Sequence, residues 1–167
     1  MNLNLNLDLA QLGAAAEIAA LRNAAARRLH QQHGPGPWAG NCTERGVLFD
    51  LRQSRVFVAR RGAVLIASFR LVTKKPWAID TKYFTAVKRP LYLLSMAVAP
   101  EQQREGIGRW CLEEARRVAR EWPADALRLD AFDAAAGAGE FYRKCGFRET
   151  GRVTYRGCPL IYFEMMV

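Results

Sequence analysis

The chain has 167 residues, half of them hydrophobic, with 25 Lys and Arg against 16 Asp and Glu and a formal net charge of +9. That length suits about one domain with one sizeable core, taken here as residues 1–167, and no apolar run reaches the roughly 18 residues of a membrane span. Four cysteines (Cys42, Cys111, Cys145, Cys158) form no Cys-x-x-Cys pair, and Met1 to Asp8 has no basic segment. These features argue against a metal site, a disulfide framework and a signal peptide, and for a reducing cytoplasm.

Asn2 to Leu7 alternates polar and apolar residues and predicts a short strand, with Asp8 placed to cap the helix after it. From Leu9 to about Gln31 the sequence is Ala-rich, and Ile18, Leu21, Ala25 and Leu29 fall on one helical face. His33-Gly-Pro-Gly-Pro-Trp38 ends that helix. Thr43 is placed to cap a second helix through Leu51, weakened by Gly46. Arg55–Arg60 and Val64–Leu71 read as strands joined by a turn at Arg61-Gly62. Thr73 to Arg89 reads as a long, basic, aromatic loop, and loops of that length are often functional. The strand Leu91–Val98 comes next, then a helix from about Gly106 to Glu121 that turns Ile107, Cys111, Ala115, Val118 and Trp122 inward. Ala126–Phe132 is a further strand and Ala135–Cys145 a further helix, closed by Gly146. Phe147–Tyr155 and Leu160–Met166 form a terminal antiparallel pair. The order β-α-α-β-β-β-α-β-α-β-β predicts a mixed α/β domain around a central sheet.

The joint between Leu91–Val98 and the next helix carries the clearest chemical signal. Gln103-Arg-Glu-Gly-Ile-Gly-Arg109 places two glycines where a strand gives way to a helix. Backbone N–H groups at a helix N-terminus lack partners and the helix dipole adds positive charge, so an anion is welcome there. Gly106 and Gly108 let that anion approach the backbone, and Arg104 and Arg109 add full charges.

Gln103-Arg-Glu-Gly106-Ile-Gly108 resembles the Gln/Arg-x-x-Gly-x-Gly/Ala loop of the GNAT acetyltransferase superfamily, and Phe141-Tyr-Arg-Lys-Cys-Gly-Phe147 is similar to that family's aromatic–Tyr–x3–Gly–Phe segment. The resemblance covers about Val56 to the C-terminus well and the N-terminal helices loosely. It implies a GNAT-like α/β (α+β) fold: a mixed sheet of about seven strands, helices on both faces, and a splayed strand pair holding CoA. It implies acetyl-CoA as cosubstrate. The pyrophosphate would lie on Gln103, Arg104, Gly106, Ile107, Gly108 and Arg109. The pantetheine arm would lie along Met96, Ala97 and Val98, and Ala138 and Phe141 would cover its far side. Tyr142 is the implied catalytic residue, protonating the departing thiolate. Many members have Asn where this chain has Ala135; Asp133 either supplies the missing contact or caps the helix.

The group that takes the amine's proton is left open among Ser95, Asp80, Glu44 and ordered water. Trp38, Trp77, Tyr83 and Phe84 lie in segments that, by the resemblance, border the acceptor pocket, while Lys74, Lys75, Lys82, Lys88 and Arg89 read first as a solvated face. His30 and His33 read as surface residues. The expected function is an N-acetyltransferase acting on a small-molecule or peptide amine by direct attack in a ternary complex. A non-catalytic CoA-sensing or RNA/ribosome-associated binding module is the alternative. Basic residues spread along the whole chain, with no RNA-binding motif, argue against nucleic acid. The resemblance leaves open a homodimer through the C-terminal strands.

Overall fold

The computed structural model describes residues 3–167. Its elements are β1 (Asn6–Leu9), α1 (Ala15–His33), α2 (Glu44–Gln53), β2 (Arg55–Arg61), β3 (Val64–Val72), β4 (Pro90–Val98), α3 (Ile107–Glu121), β5 (Ala126–Phe132), α4 (Gly139–Lys144), β6 (Arg148–Tyr155) and β7 (Cys158–Met166). The strands form one mixed sheet in the order β1-β2-β3-β4-β5-β7-β6. The chain divides into two compact units, one reaching to Leu71 and adding Leu94–Glu114, the other made of Val72–Leu93 and Ala115–Val167.

In the first unit, β1 runs antiparallel to β2, and β2 antiparallel to β3 around Gly62, whose φ of +60° suits a glycine in a tight turn. Ile18 and Leu21 of α1 are buried with Val47, Val56, Val58 and Leu65. This matches the helical face read from spacing, with Ala25 and Leu29 half-buried at its far end. Thr43 Oγ1 accepts the Gly46 N–H at 3.1 Å, so the second helix is capped as expected. Asp50 ties three elements together, taking Arg22 of α1 at 2.8 Å and Arg70 of β3 at 2.7 Å.

The N-terminal boundaries differ from the sequence reading. The strand is Asn6–Leu9, not Asn2–Leu7, and Asp8 lies inside it opposite Val58, so it caps nothing; Met1 and Asn2 fall outside the described residues. The helix begins at Ala15, not Leu9, after a 3-10 turn over Leu12–Ala14. The ladder causes the shift: the Ala10 N–H donates to Val56 O at 2.8 Å, which holds the backbone extended where spacing alone places the start of the helix.

In the second unit, β4 opens in parallel register with β5, Pro90 to Tyr92 opposite Ala126 to Arg128. β5 pairs antiparallel with β7 along its length, and β7 with β6. Side chains alternate faces along a strand. One face therefore carries Arg128 and Asp130 of β5 beside Glu164 and Tyr162 of β7, and the other carries Leu129 beside Phe163. Residues 73–89 pack on the first of these faces. Phe84 stacks between the Arg128 guanidinium, 4.8 Å from its ring, and Tyr162, 5.2 Å between centroids. Short α4 packs on the second, since a Cβ at Gly139 would meet Ile161 at 3.3 Å and Phe163 at 3.6 Å.

The last helix is shorter than expected, starting at Gly139 and not Ala135. Asp133 is not its cap; Ala138 is, and the Asp133 carboxylate binds Arg152 at 3.2 Å. Alanine favours a helix, but this run has no large apolar side chain to bury and is broken by two glycines. The Gly137 N–H closes a turn on Ala134 O at 2.9 Å, and a Cβ at Gly137 would lie 1.8 Å from Phe132 O, so the chain turns back where only glycine fits.

Candidate active site

The glycine loop belongs to the first unit. Pro100–Gln102 forms a 3-10 turn, Arg104 and Gly106 come after it at φ +68° and +85°, and α3 starts at Ile107. Left-handed residues in a loop turn successive N–H groups to one side, which builds an anion nest. A Cβ built at Gly106 meets nothing within 4 Å, so the space before the loop is open. Two side chains hold the loop in shape. Gln103 Nε2 donates to Val98 O at 3.2 Å, and Arg61 of β2 reaches Gln102 Oε1 at 2.9 Å and Glu105 Oε2 at 3.3 Å. Arg61 is a support that sequence reasoning misses, since its local pattern marks only a hairpin turn. Ile107 is buried in the core, so toward a ligand it offers its backbone N–H and not its side chain.

Met96, Ala97 and Val98 are half-buried along β4. Just before them Ser95 adopts φ +52° inside the strand. A non-glycine residue there is strained, and such strain in a strand marks a bulge that turns backbone groups out of the regular pattern. The three residues lie on the chain before the loop that ends in α3.

Ala138, Phe141 and Tyr142 belong to the second unit. Ala138 is exposed; the half-buried Phe141 and Tyr142 rings lie 5.3 Å apart. Tyr142 also packs against Phe147 and Phe163, each 5.7 Å away. Burial pushes its phenol well above the ordinary value, and the charges of Asp130 and Cys145 push it the same way. The hydroxyl therefore stays protonated through the physiological range.

The influence of Asp130 identifies a residue that sequence reasoning does not single out. Asp130 lies on β5, directly across the ladder from Tyr162, on the face opposite the one that α4 covers. Burial raises its carboxyl pKa, only partly offset by a backbone hydrogen bond. A carboxylate poised above its ordinary range is a better proton acceptor. The available signal is an acid at an alternate position of the otherwise apolar Ala126–Phe132 strand. The acids that the sequence suggests fare worse. Asp80 is held by Lys82 at 3.1 Å, which lowers its pKa, and Glu44 is an exposed residue in the first turn of α2. Ser95 is exposed.

The long loop is a built structure. Ile79 and Phe84 are buried, and Tyr162 OH donates to Ala78 O and accepts the Asp80 N–H at 3.1 Å. Glu164, its side chain 1% exposed, pairs with Arg128 at 2.9 Å and accepts the Thr85 N–H at 3.3 Å, while Arg128 also donates to Thr85 O. Trp77 by contrast is 86% exposed. Trp38 lies in the first unit beside Asn23, Arg27 and His30.

Among the described residues no helix is long and apolar enough to cross a membrane. The acetyltransferase (GNAT) domain family matches residues 52–149, more than half of the chain. The chain belongs to that family, and it is an acyltransferase of the class that uses acetyl-CoA as cosubstrate. No curated protein matches it in sequence. Solved structures share its fold at low identity. A GNAT acetyltransferase from Listeria monocytogenes is 15% identical, with TM-score 0.77 and 98% and 95% of the two chains covered. A ribosomal-protein-alanine N-acetyltransferase from Brucella melitensis is 18% identical, with TM-score 0.72 and coverage of 97% and 99%. The protein yncA from Salmonella typhimurium, solved with its cofactor acetyl-CoA, is 17% identical, with TM-score 0.70 and coverage of 98% and 94%. The seven-stranded mixed sheet is thus the GNAT fold expected from the two sequence signatures.

Proposed function

We propose that the chain is an N-acetyltransferase that moves an acetyl group from acetyl-CoA to a primary amine by direct attack, with Asp130 as general base and Tyr142 as general acid. The observation that carries this reading is geometric: the Tyr142 ring packs at 5.7 Å on Phe163 of β7, and Asp130 sits across the ladder from Tyr162 of the same strand, so an acid and a phenol share one strand pair.

Acetyl-CoA, when bound, supplies an activated thioester. The residues of the glycine loop suit its phosphates, because Gly106 leaves open space before a row of N–H groups. Gln103, Arg104, Gly106, Gly108 and Arg109 would hold it there, with Ile107 contributing its N–H. Backbone groups of Met96–Val98 would take the peptide-like arm by strand addition. Asp130 takes the proton that the amine must lose to become a nucleophile. The amine nitrogen bonds to the acetyl carbon and the carbon–sulfur bond breaks. As that bond breaks, nitrogen loses its second proton and Tyr142 gives its own to the sulfur; the nitrogen's proton restores the phenol by way of solvent and Asp130 returns the first proton to water, so the products are an acetamide, a free thiol and one proton. Raised above its usual range, Asp130 is matched to its part, and Tyr142 is held protonated until the sulfur departs.

Thiol release from acetyl-CoA over an amine library tests the reading. Turnover of at least one amine, abolished in Asp130→Asn and Tyr142→Phe together, is expected. Acetyl-CoA binding with no amine-dependent release across the library would reject it.

A further inference from the structure

We infer that the acceptor is a primary monoamine carried on a flat aromatic body, seated in the groove between Trp77–Tyr83 and β6. This deepens the acetyltransferase reading above and rests on it. The groove has a volume of about 390 Å³ and is walled by Trp77, Tyr83, Tyr155 and Tyr162. That size is within the usual range for a small-ligand site, and aromatic walls suit a ring laid against them.

The groove is preformed. Lys75 Nζ donates to Ile79 O at 2.8 Å, the Asp80 N–H donates to Tyr162 OH at 3.1 Å, and the Tyr83 ring lies 5.7 Å from that of Tyr162. Tyr83 also lies hard against β6: a Cβ at Gly151 would fall 2.4 Å from its ring. On this fixed backbone the Trp77 indole stands 86% exposed. A large ring surface left in water on a rigid segment gains when another ring covers it.

Tyr162 links the groove to the chemistry. It lines the groove and is also the ladder partner of Asp130, whose charge acts on its hydroxyl. A ring laid along Trp77 and Tyr155 therefore lies on the face of the sheet that carries Asp130. The charges at the rim decide against a polyamine. Lys82 Nζ lies 5.3 Å from the Tyr83 ring and the Arg156 guanidinium 5.4 Å from the Tyr155 ring, so the outer cation sites on two walls are filled. Asp80 is already paired with Lys82 and is not available to a second ammonium. A neutral ring with a single amine meets neither conflict.

The test compares 2-phenylethylamine and tyramine with n-butylamine and spermidine at saturating acetyl-CoA, with acetyl-CoA affinity measured by calorimetry on the same protein. We expect kcat/KM for the two aryl amines to exceed that of both others by about tenfold or more, the worth of a good ring contact. Trp77→Ala and Tyr155→Ala should raise KM for the aryl amines by about tenfold and leave acetyl-CoA affinity within about twofold. Aryl amines no better than n-butylamine, no turnover of either aryl amine, or an unchanged KM in Trp77→Ala would each overturn the inference while acetyl-CoA binding persists. Loss of acetyl-CoA binding by the wild-type chain would instead overturn the parent reading, and this one with it.

Discussion

Burial raises the pKa of both Asp130 and Tyr142, and the consequences differ because the roles proposed for them are those of a base and an acid. Tyr142→Phe keeps the ring and removes only the proton. Its kcat should fall roughly 10²–10⁴-fold with cofactor affinity little changed, measured with any acceptor the library yields. A mutant within about twofold of wild type would leave Tyr142 as a core residue, packed on Phe147 and Phe163. Asp130 makes a second prediction through stability. Its folded pKa lies above that of an unfolded aspartate, so the folded chain holds the proton more tightly, and between the two values stability falls as pH rises. Above both, the ionised carboxylate is a standing cost. Asp130→Asn should therefore melt higher than wild type at pH 7 and no higher near pH 3, where both states are protonated, while acetylation is lost. Melting curves at the two pH values check this. Equal stability at pH 7 would mean that the carboxylate is solvated after all, and a weak base.

At the level of elements, the glycine loop and the loop over residues 73–89 enter the proposed site in different ways. The first offers backbone, so its test is steric. Gly108 sits in the first turn of α3 with ordinary helical freedom, whereas Gly106 at φ +85° would add backbone strain to any substitution. Gly108→Val should reduce CoA affinity by about tenfold or more in a protein that still melts cooperatively. Calorimetry showing wild-type affinity in the folded variant would remove the loop from the site. The second loop depends on the buried Arg128–Glu164 pair, whose side chains are 4% and 1% exposed. Burial alone would raise the Glu164 pKa, but hydrogen bonds from Thr85 and Arg128 outweigh it and leave it lowered. The pair thus contributes stability above the unfolded carboxyl pKa and loses it as pH falls through the folded value. Glu164→Ala strands Arg128 and should cost about 3–5 kcal/mol at neutral pH. Denaturant titration measures it, and acetyl-CoA affinity should survive wherever the variant remains folded.

For the molecule as a whole, the sequence reveals most of the architecture and about half of the proposed site. Long apolar runs such as Val64–Leu71 and Ala126–Phe132 declare themselves as strands, because their pattern is what burial in a sheet demands. Gln103–Arg109 and Phe141–Phe147 stand out through their resemblance to two signatures of the family, the first also because glycines at a strand–helix joint suit an anion. Less visible is whatever depends on distant partners. Asp8 reads as a cap until Val58 pairs with it, and Ala135 reads as helix until the turn at Gly137 is seen against Phe132. Asp130 looks like one polar residue in a strand; its raised pKa depends on burial, and its place in the proposed site on Tyr142 and Tyr162, which no local pattern supplies. One property of the loop over residues 73–89 reaches beyond the proposed acceptor. Most of the hydrogen bonds that fix it end on its main chain: Ala78 O, Ile79 O, the Asp80 N–H and both backbone groups of Thr85. Peptide atoms are the same whatever side chain they carry. Exposed positions such as Trp77 can therefore drift under selection without loosening the scaffold that presents them. If this loop seats the acceptor as proposed, a lineage bearing it can exchange one amine for another through a few surface mutations, with the machinery for acetyl transfer inherited intact.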